Sequence, residues 1–197
     1  MKTYRNWLIV CVVVKGLFFS ASVFAQQQIN LCMSGYINHR SGLHDQAILD
    51  LRNCIQSGNL SHENLARAYR FLGQAYHAKE EYLQAIDSYD QAMTLNLKDP
   101  WYDFLNRGNT YLSMNELDKA LGDFDYALKL NPDFGAAFFY RGVVFEKKGQ
   151  FQKAESDFVT GYQKGFRSPQ INARMLFRRK RIPLDMKAES NLENGGN

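Results

Sequence analysis

The feature that most constrains this chain is that it copies itself. The stretch "NRGNTYLSMNELDKALGDFDYALKLNP" runs from Asn106 to Pro132, and a second version, "YRGVVFEKKGQFQKAESDF", starts 34 residues later at Tyr140. Phe104 and Phe138 correspond, as do Arg107 and Arg141, Gly108 and Gly142, Ala120 and Ala154, Asp123 and Asp157, and Phe124 and Phe158. An earlier copy, carrying Tyr69, Leu72, Gly73, Tyr76, Tyr82, Ala85, Tyr89 and Ala92, lies 35 residues upstream. A weaker first copy holds Leu31, Gly35, Ala47, Leu51 and Cys54, offset by 38. A unit of this size cannot bury its apolar face alone, so its copies must stack on their neighbours.

Within each copy the apolar residues recur three and four apart. Tyr69, Leu72, Gly73 and Tyr76 share one face of a first helix, and Ala85, Tyr89 and Ala92 share one face of a second. Short polar turns, "HAKEEY" and "SMNEL", separate the two. The small residues have a steric use: Gly73 facing Ala85, and Gly108 facing Ala120, would let two helix axes approach closely. The same register in the first copy closes at Gly35 and Ala47 and places Cys32 opposite about Asp50, one turn short of Cys54.

This pattern resembles the tetratricopeptide repeat. The family's aromatic, Leu-Gly, Tyr, Ala, Phe and Pro positions are met by Tyr69, Leu72-Gly73, Tyr76, Ala85 and Tyr89. They are met again by Phe104, Gly108, Tyr111, Ala120, Phe124, Ala127 and Pro132. The resemblance covers about residues 28–166 and implies an all-α, right-handed solenoid of about four helix–turn–helix repeats. Departures fall at Arg107 and Arg141, where the family has Leu, and at Gly161 and Phe166, in place of Ala and Pro. In the first copy Asn38 and His44 hold aromatic slots. Beyond the array, Ser168 reads as an N-cap and Pro169 as a first helical residue, with an apolar stripe through Ile171 and Met175. We therefore expect a capping helix over 167–182 and a polar, disordered tail over 183–197.

The first 25 residues stand apart. Lys2 and Arg5 precede an apolar run, and Val23 and Ala25 fit the small-x-small rule for cleavage before Gln26. Lys15 interrupts the run, leaving neither half near the roughly 20 residues a spanning helix needs. The expectation is export, to the periplasm if the source is Gram-negative. The competing reading keeps this segment as a helix anchoring the chain to the inner membrane, as a structural subunit of an envelope or secretion assembly. N-terminal sequencing of the mature chain separates the two.

Charge and cysteines narrow the function. The formal net charge is +4, but residues 26–165 carry 14 basic and 17 acidic residues and so a net −3. A basic nucleic-acid face is not expected on such a body. The basic run Arg178, Arg179, Lys180 and Arg181 suits the end of a capping helix. Its alternative use is peripheral contact with an anionic membrane surface, an envelope polymer or an acidic partner. Cys11 leaves with the export segment, so Cys32 and Cys54 remain as an even pair and a disulfide candidate.

No constellation for chemistry stands out. The chain has no glycine-rich phosphate loop, no nucleophile-elbow serine and no cluster with metal-ligand spacing; His39 and His44 flank a turn and read as a solvated loop. Neither enzyme activity nor a cofactor is expected. Arg107 with Asp123, and Arg141 with Asp157, read as ion pairs between the helices of one repeat, since the copy with Leu72 in the arginine slot has Ser88 in the aspartate slot.

The resemblance implies a concave groove lined by first helices, here Arg67, Arg70, Gln74, Tyr102, Leu105, Asn106, Asn109 and Phe139. One subset of the family grips a peptide's terminal carboxylate in these slots. Arg70 and Asn106 match it and Gln74 nearly does, but Ala136 and Tyr140 stand where cations are needed, so a full clamp is not expected. The expected function is a non-enzymatic scaffold or adaptor whose protein or peptide partner lies in the groove.

Overall fold

A computed structural model describes residues 32–58, 60–95, 98–169, 171 and 174. The export segment, the basic run from Arg178 to Arg181 and the tail at 183–197 lie outside the described residues. Among those described, eight helices follow one another. They are α1 (32–40), α2 (His44–Gln56), α3 (His62–Ala78), α4 (Tyr82–Thr94), α5 (Trp101–Ser113), α6 (Leu117–Leu130), α7 (Gly135–Lys147) and α8 (Phe151–Gln163). They pack in pairs as helix–turn–helix repeats, α1 with α2, α3 with α4, α5 with α6 and α7 with α8.

The turn inside each pair is set by one residue with left-handed backbone: Gly42, Glu80, Asn115 and Gly149, with φ of 79°, 62°, 61° and 73°. This is the position at which a helix commonly ends. Glycine adopts it without penalty, whereas Glu80 carries a Cβ into an unfavourable region. The longer α3 starts on a side-chain cap, with Ser61 Oγ accepting from the Asn64 amide at 3.3 Å.

Each pair closes on a glycine, and its nearest partner is a large side chain sixteen positions on. A Cβ placed on Gly35 would lie 2.6 Å from Leu51 Cγ, and one on Gly73 would lie 2.6 Å from the Tyr89 ring. At Gly108 and Gly142 the same Cβ would lie 2.7 Å from the rings of Phe124 and Phe158. Tyr89, Phe124 and Phe158 are almost wholly buried there. The glycine thus makes room for the ring itself. This corrects the register expected from facing Gly and Ala: the helices close one turn further along.

That one turn decides the cysteines. Under the corrected register Cys32 reaches Cys54, the two are disulfide-bonded, and their Cα atoms lie 5.2 Å apart. Such a separation is within the roughly 4.4–6.8 Å a disulfide requires.

The chain divides into two compact units, residues 1–106 and 107–197, with the boundary inside α5. The first has a core of Leu51, Cys54, Ala68 and Leu72, edged by Cys32, Tyr69, Phe71 and Tyr76. The second is built on Phe139, Ala154, Phe158 and Ile171. Pro169, Ile171 and Arg174 are helical, and Ser168 Oγ accepts the Ile171 amide at 3.3 Å.

Two glycine substitutions should separate packing from propensity. Gly108→Ala forces a methyl against Phe124 and should lower stability by about 1–3 kcal/mol. Gly122, exposed in α6 with open space where its Cβ would be, should gain about 0.5–1 kcal/mol on Gly122→Ala. Urea denaturation of both variants checks the contrast.

Candidate functional site

In the first unit α1 and α3 present one continuous lining. On α3, Asn64, Arg67, Ala68 and Phe71 recur three and four apart and so share a face. On α1, Met33, Tyr36 and Ile37 do the same. Between them lies a pocket of about 310 Å³ walled by Cys32, Met33, Tyr36, Leu60, Asn64, Arg67, Ala68 and Phe71. Ala68, almost fully buried, leaves the volume that a larger side chain would fill. The Tyr36 and Phe71 rings stand 4.7 Å apart, tilted by 46°. Met33 and Ile37, each 53% exposed, extend the apolar surface along α1.

Two guanidinium groups border this surface. Arg40 lies 6.0 Å from the Tyr36 ring. Arg67 meets Glu63 at 3.1 Å, but both are well exposed, and exposed helix pairs of this kind contribute only about 0.3–0.5 kcal/mol. Arg67 can therefore turn to another anion at little expense.

Arg70 cannot. Its Nε donates to Asp103 Oδ1 at 2.6 Å, its Nη2 to Asp103 Oδ2 at 2.8 Å, and Nη2 also to the Asp99 carbonyl at 3.3 Å. Asp103 is 0% exposed. Burial pushes its carboxyl above the usual range, while the Arg70 hydrogen bonds and charge pull the other way. The expectation of Arg70 as a partner-binding groove residue is corrected: its fork is committed to a buried carboxylate one repeat on. Tyr102 remains 43% exposed with the Arg70 guanidinium 5.7 Å over its ring. Gln74, Leu105 and Asn106 are half-buried.

In the second unit Asn109 is half-buried, and Phe139 is only 6% exposed. Its place in an open groove is corrected too. The ring packs with Phe158 at 5.7 Å and Phe166 at 5.1 Å, joins Ile171 in the core, and has the Arg174 guanidinium 5.8 Å away. The groove residues named from sequence thus divide between the two units, and the pocket between α1 and α3 is lined, among them, by Arg67 alone. Sequence reasoning missed Met33, Tyr36 and Phe71. Their signal was available: Met33 and Phe71 each precede a closing glycine by two positions.

The interhelical arginines form forks. Arg107 donates from Nε and Nη2 to Asp123 at 2.9 and 2.6 Å. Arg141 donates likewise to Asp157, at 2.8 Å for both, and from Nη1 to Asp125 at 2.7 Å. The hydrogen bonds to Asp157 are the chief cause of a raised Arg141 pKa. In the first repeat the same slots hold Ser34 and Asp50, and neutral donors serve the carboxylate: Ser34 at 2.6 Å, Gln46 at 2.7 Å and Asn38 at 2.9 Å. In the second repeat Ser88 turns back to the Gln84 carbonyl at 2.7 Å.

His39 and His44 are not the solvated pair expected. Both are half-buried, their ring centroids are 5.3 Å apart, and both Nδ1 atoms are buried without a hydrogen-bond partner among the described residues. Burial lowers the His39 pKa, and the charges of His44 and Arg40 lower it further. Among the described residues no group of three or more His, Cys, Asp or Glu side chains could hold a metal ion.

The comparisons with known proteins match this geometry. Residues 61–99 and 103–134 each match the tetratricopeptide repeat. The chain carries tetratricopeptide repeats. The human protein O-mannosyl-transferase TMTC1 is 33% identical over 98 residues, 48% of this chain and 11% of that protein. The chain spans between 11% and 29% of the lengths of the first curated relatives it matches. Among solved structures, MamA is 28% identical with a TM-score of 0.61, covering 70% of this chain and 77% of its own. YrrB, described as a tetratricopeptide-repeat protein with an unusual peptide-binding site, shares the fold at 19% identity. Its TM-score is 0.57, with 75% of this chain and 74% of that one covered.

Two predictions follow from the buried ionisable groups of this repeat protein. Arg70→Leu leaves the Asp103 carboxylate buried and unpaired, which should cost about 3–5 kcal/mol at pH 7. The loss should be smaller at pH 5, where an unpaired Asp103 with a further raised pKa takes a proton instead; urea midpoints at the two pH values test this. For His39 the lowered folded pKa means that the unfolded chain binds protons more readily. Stability should be full above about pH 6.5 and fall as the pH drops through the folded value. His39→Gln should flatten that fall in melting temperature.

Proposed function

We propose that this tetratricopeptide-repeat protein is a non-enzymatic scaffold that seats a peptide segment of another protein in the α1–α3 pocket. The observation that carries this reading is the pocket itself: an apolar cleft with exposed Met33 and Ile37 beside it and a weakly held Arg67 at its edge. Such a cleft suits one buried apolar anchor with an acidic neighbour. YrrB's peptide-binding site lends the fold-level precedent. The Cys32–Cys54 bond supports a working place in an oxidising compartment, which agrees with export by residues 1–25 and, for a Gram-negative source, the periplasm.

A suitable probe is a fluorescein-labelled dodecapeptide with a central Phe-Leu pair among glutamate and serine residues, followed by fluorescence anisotropy. Met33→Glu and Arg67→Glu, both at exposed positions, should each weaken binding about tenfold or more, equivalent to about 1.4 kcal/mol. A version of the peptide with lysine for glutamate should bind less tightly. If both variants bind the acidic peptide as the parent does, the pocket is not the site.

A further inference from the structure

We propose that the Cys32–Cys54 disulfide is a redox gate on the α1–α3 pocket, a reading that rests on that pocket being the peptide site. Cys32 stands in the pocket wall on α1, next to Met33. Its bond runs to Cys54, which is fully buried near the end of α2 and belongs to the core with Leu51, Ala68 and Leu72. The wall that an apolar anchor would touch is therefore covalently tied to the core beneath it.

Packing alone does not call for a cysteine there. Cys54 sits three residues after the large side chain that meets the closing glycine. The equivalent positions in the next three repeats are Ala92, Ala127 and Gly161, all buried. A small side chain satisfies the helix–helix contact in every other copy. The position equivalent to Cys32 is filled by Arg70, Leu105 and Phe139, of which Arg70 is held by Asp103 and Phe139 by the core around Phe158. Only the first repeat uses both positions for a bond, and its α1 forms one wall of the pocket. Its polar closure also lacks an arginine fork, Asp50 being served by the neutral donors Ser34, Asn38 and Gln46.

The reaction is an exchange with a dithiol reductant. Its thiolate attacks Sγ of Cys32, the half-buried partner, because Cys54 has no exposed surface. The Cys32–Cys54 bond breaks and the Cys54 sulfur leaves as a thiolate, which takes a proton. The reductant's second thiol then displaces Cys32, which also becomes a thiol. Two electrons and two protons pass to this chain, and the reductant ends as its own disulfide. With the bond gone, α1 keeps its side-chain contacts but loses its covalent tie to α2, whose Cys54 shares a core with Ala68 and Leu72 of α3, so Cys32, Met33 and Tyr36 are held less firmly beside α3. The pocket then no longer stands preformed, and an apolar ligand must order it on binding.

The test uses the full chain and the acidic dodecapeptide. Reduction by dithiothreitol is verified by a rise of two titratable thiols per chain. The oxidised protein should bind the peptide at least about fivefold more tightly than the reduced one, and amide exchange across residues 33–40 should speed up by at least about fivefold on reduction. A Cys32→Ser, Cys54→Ala double variant, with alanine as in the next two repeats, should behave as the reduced protein whether or not reductant is present. Equal exchange in oxidised and reduced protein overturns the gate, and so does a double variant that binds as the oxidised parent. The pocket reading fails separately, when oxidised protein shows no loss of peptide binding with Met33→Glu. Because exchange is read without any ligand, it judges the gate even in that case.

Discussion

The approach of a bare glycine backbone to a large side chain sixteen residues on is the contact from which the rest of each repeat follows. Gly35 takes Leu51, Gly73 takes Tyr89, Gly108 takes Phe124 and Gly142 takes Phe158. Any side chain at the glycine would occupy the volume of the ring, and the densely packed interior has no slack to absorb it. The contact sets how far the second helix has run past the first, and thereby which residues of the pair face each other. Ser34 with Asp50, Arg107 with Asp123 and Arg141 with Asp157 all sit one residue before that contact on each helix. The Cys32–Cys54 bond lies three residues to either side of it.

Repetition of one frame lets the same slot do different work. The position three before the closing glycine is Cys32, Arg70, Leu105 and Phe139 in successive repeats. The first is covalently bonded to the second helix. The second reaches one repeat on to the buried Asp103. The last is enclosed by Phe158, Phe166 and Ile171 as part of the core. This slot looks outward in a repeat seen alone, but each copy's neighbours decide whether it stays open. In the first repeat the slot stays at the surface, and Cys32 lines the pocket with Met33, Ala68 and Phe71.

The charge distribution follows the same logic. Arg70, Arg107 and Arg141 are spaced along first helices as if to present cations to a ligand, yet each places two or more donors on aspartate oxygens. A fork on a buried carboxylate satisfies both charges where solvent cannot. Arg67, by contrast, meets Glu63 in the open, where pairing is weak. Of the arginines on α3, it is the one whose charge is best placed to act on something other than this chain.

The sequence by itself determined the repeat, its length, the helix–turn–helix form and the residue types at each closing contact, because a 34-residue period and three-and-four spacing are local properties. The pairing of Arg107 with Asp123 was legible from the copies, since the two copies with arginine in one slot carry aspartate in the other while the copy with Leu72 carries Ser88. What only the tertiary structure decided was the register of the helix pair and the fate of each outward slot. Facing Gly and Ala gave a plausible crossing, but the volume of a ring moved the closure by one turn and brought Cys32 to Cys54. Likewise nothing near Phe139 in sequence announces that Ile171, 32 positions away, will share its core. Nor does the sequence around Asp103 announce that Arg70, 33 residues before it, is its partner. Burial is set by which elements meet across the fold, and a period along the chain does not record it.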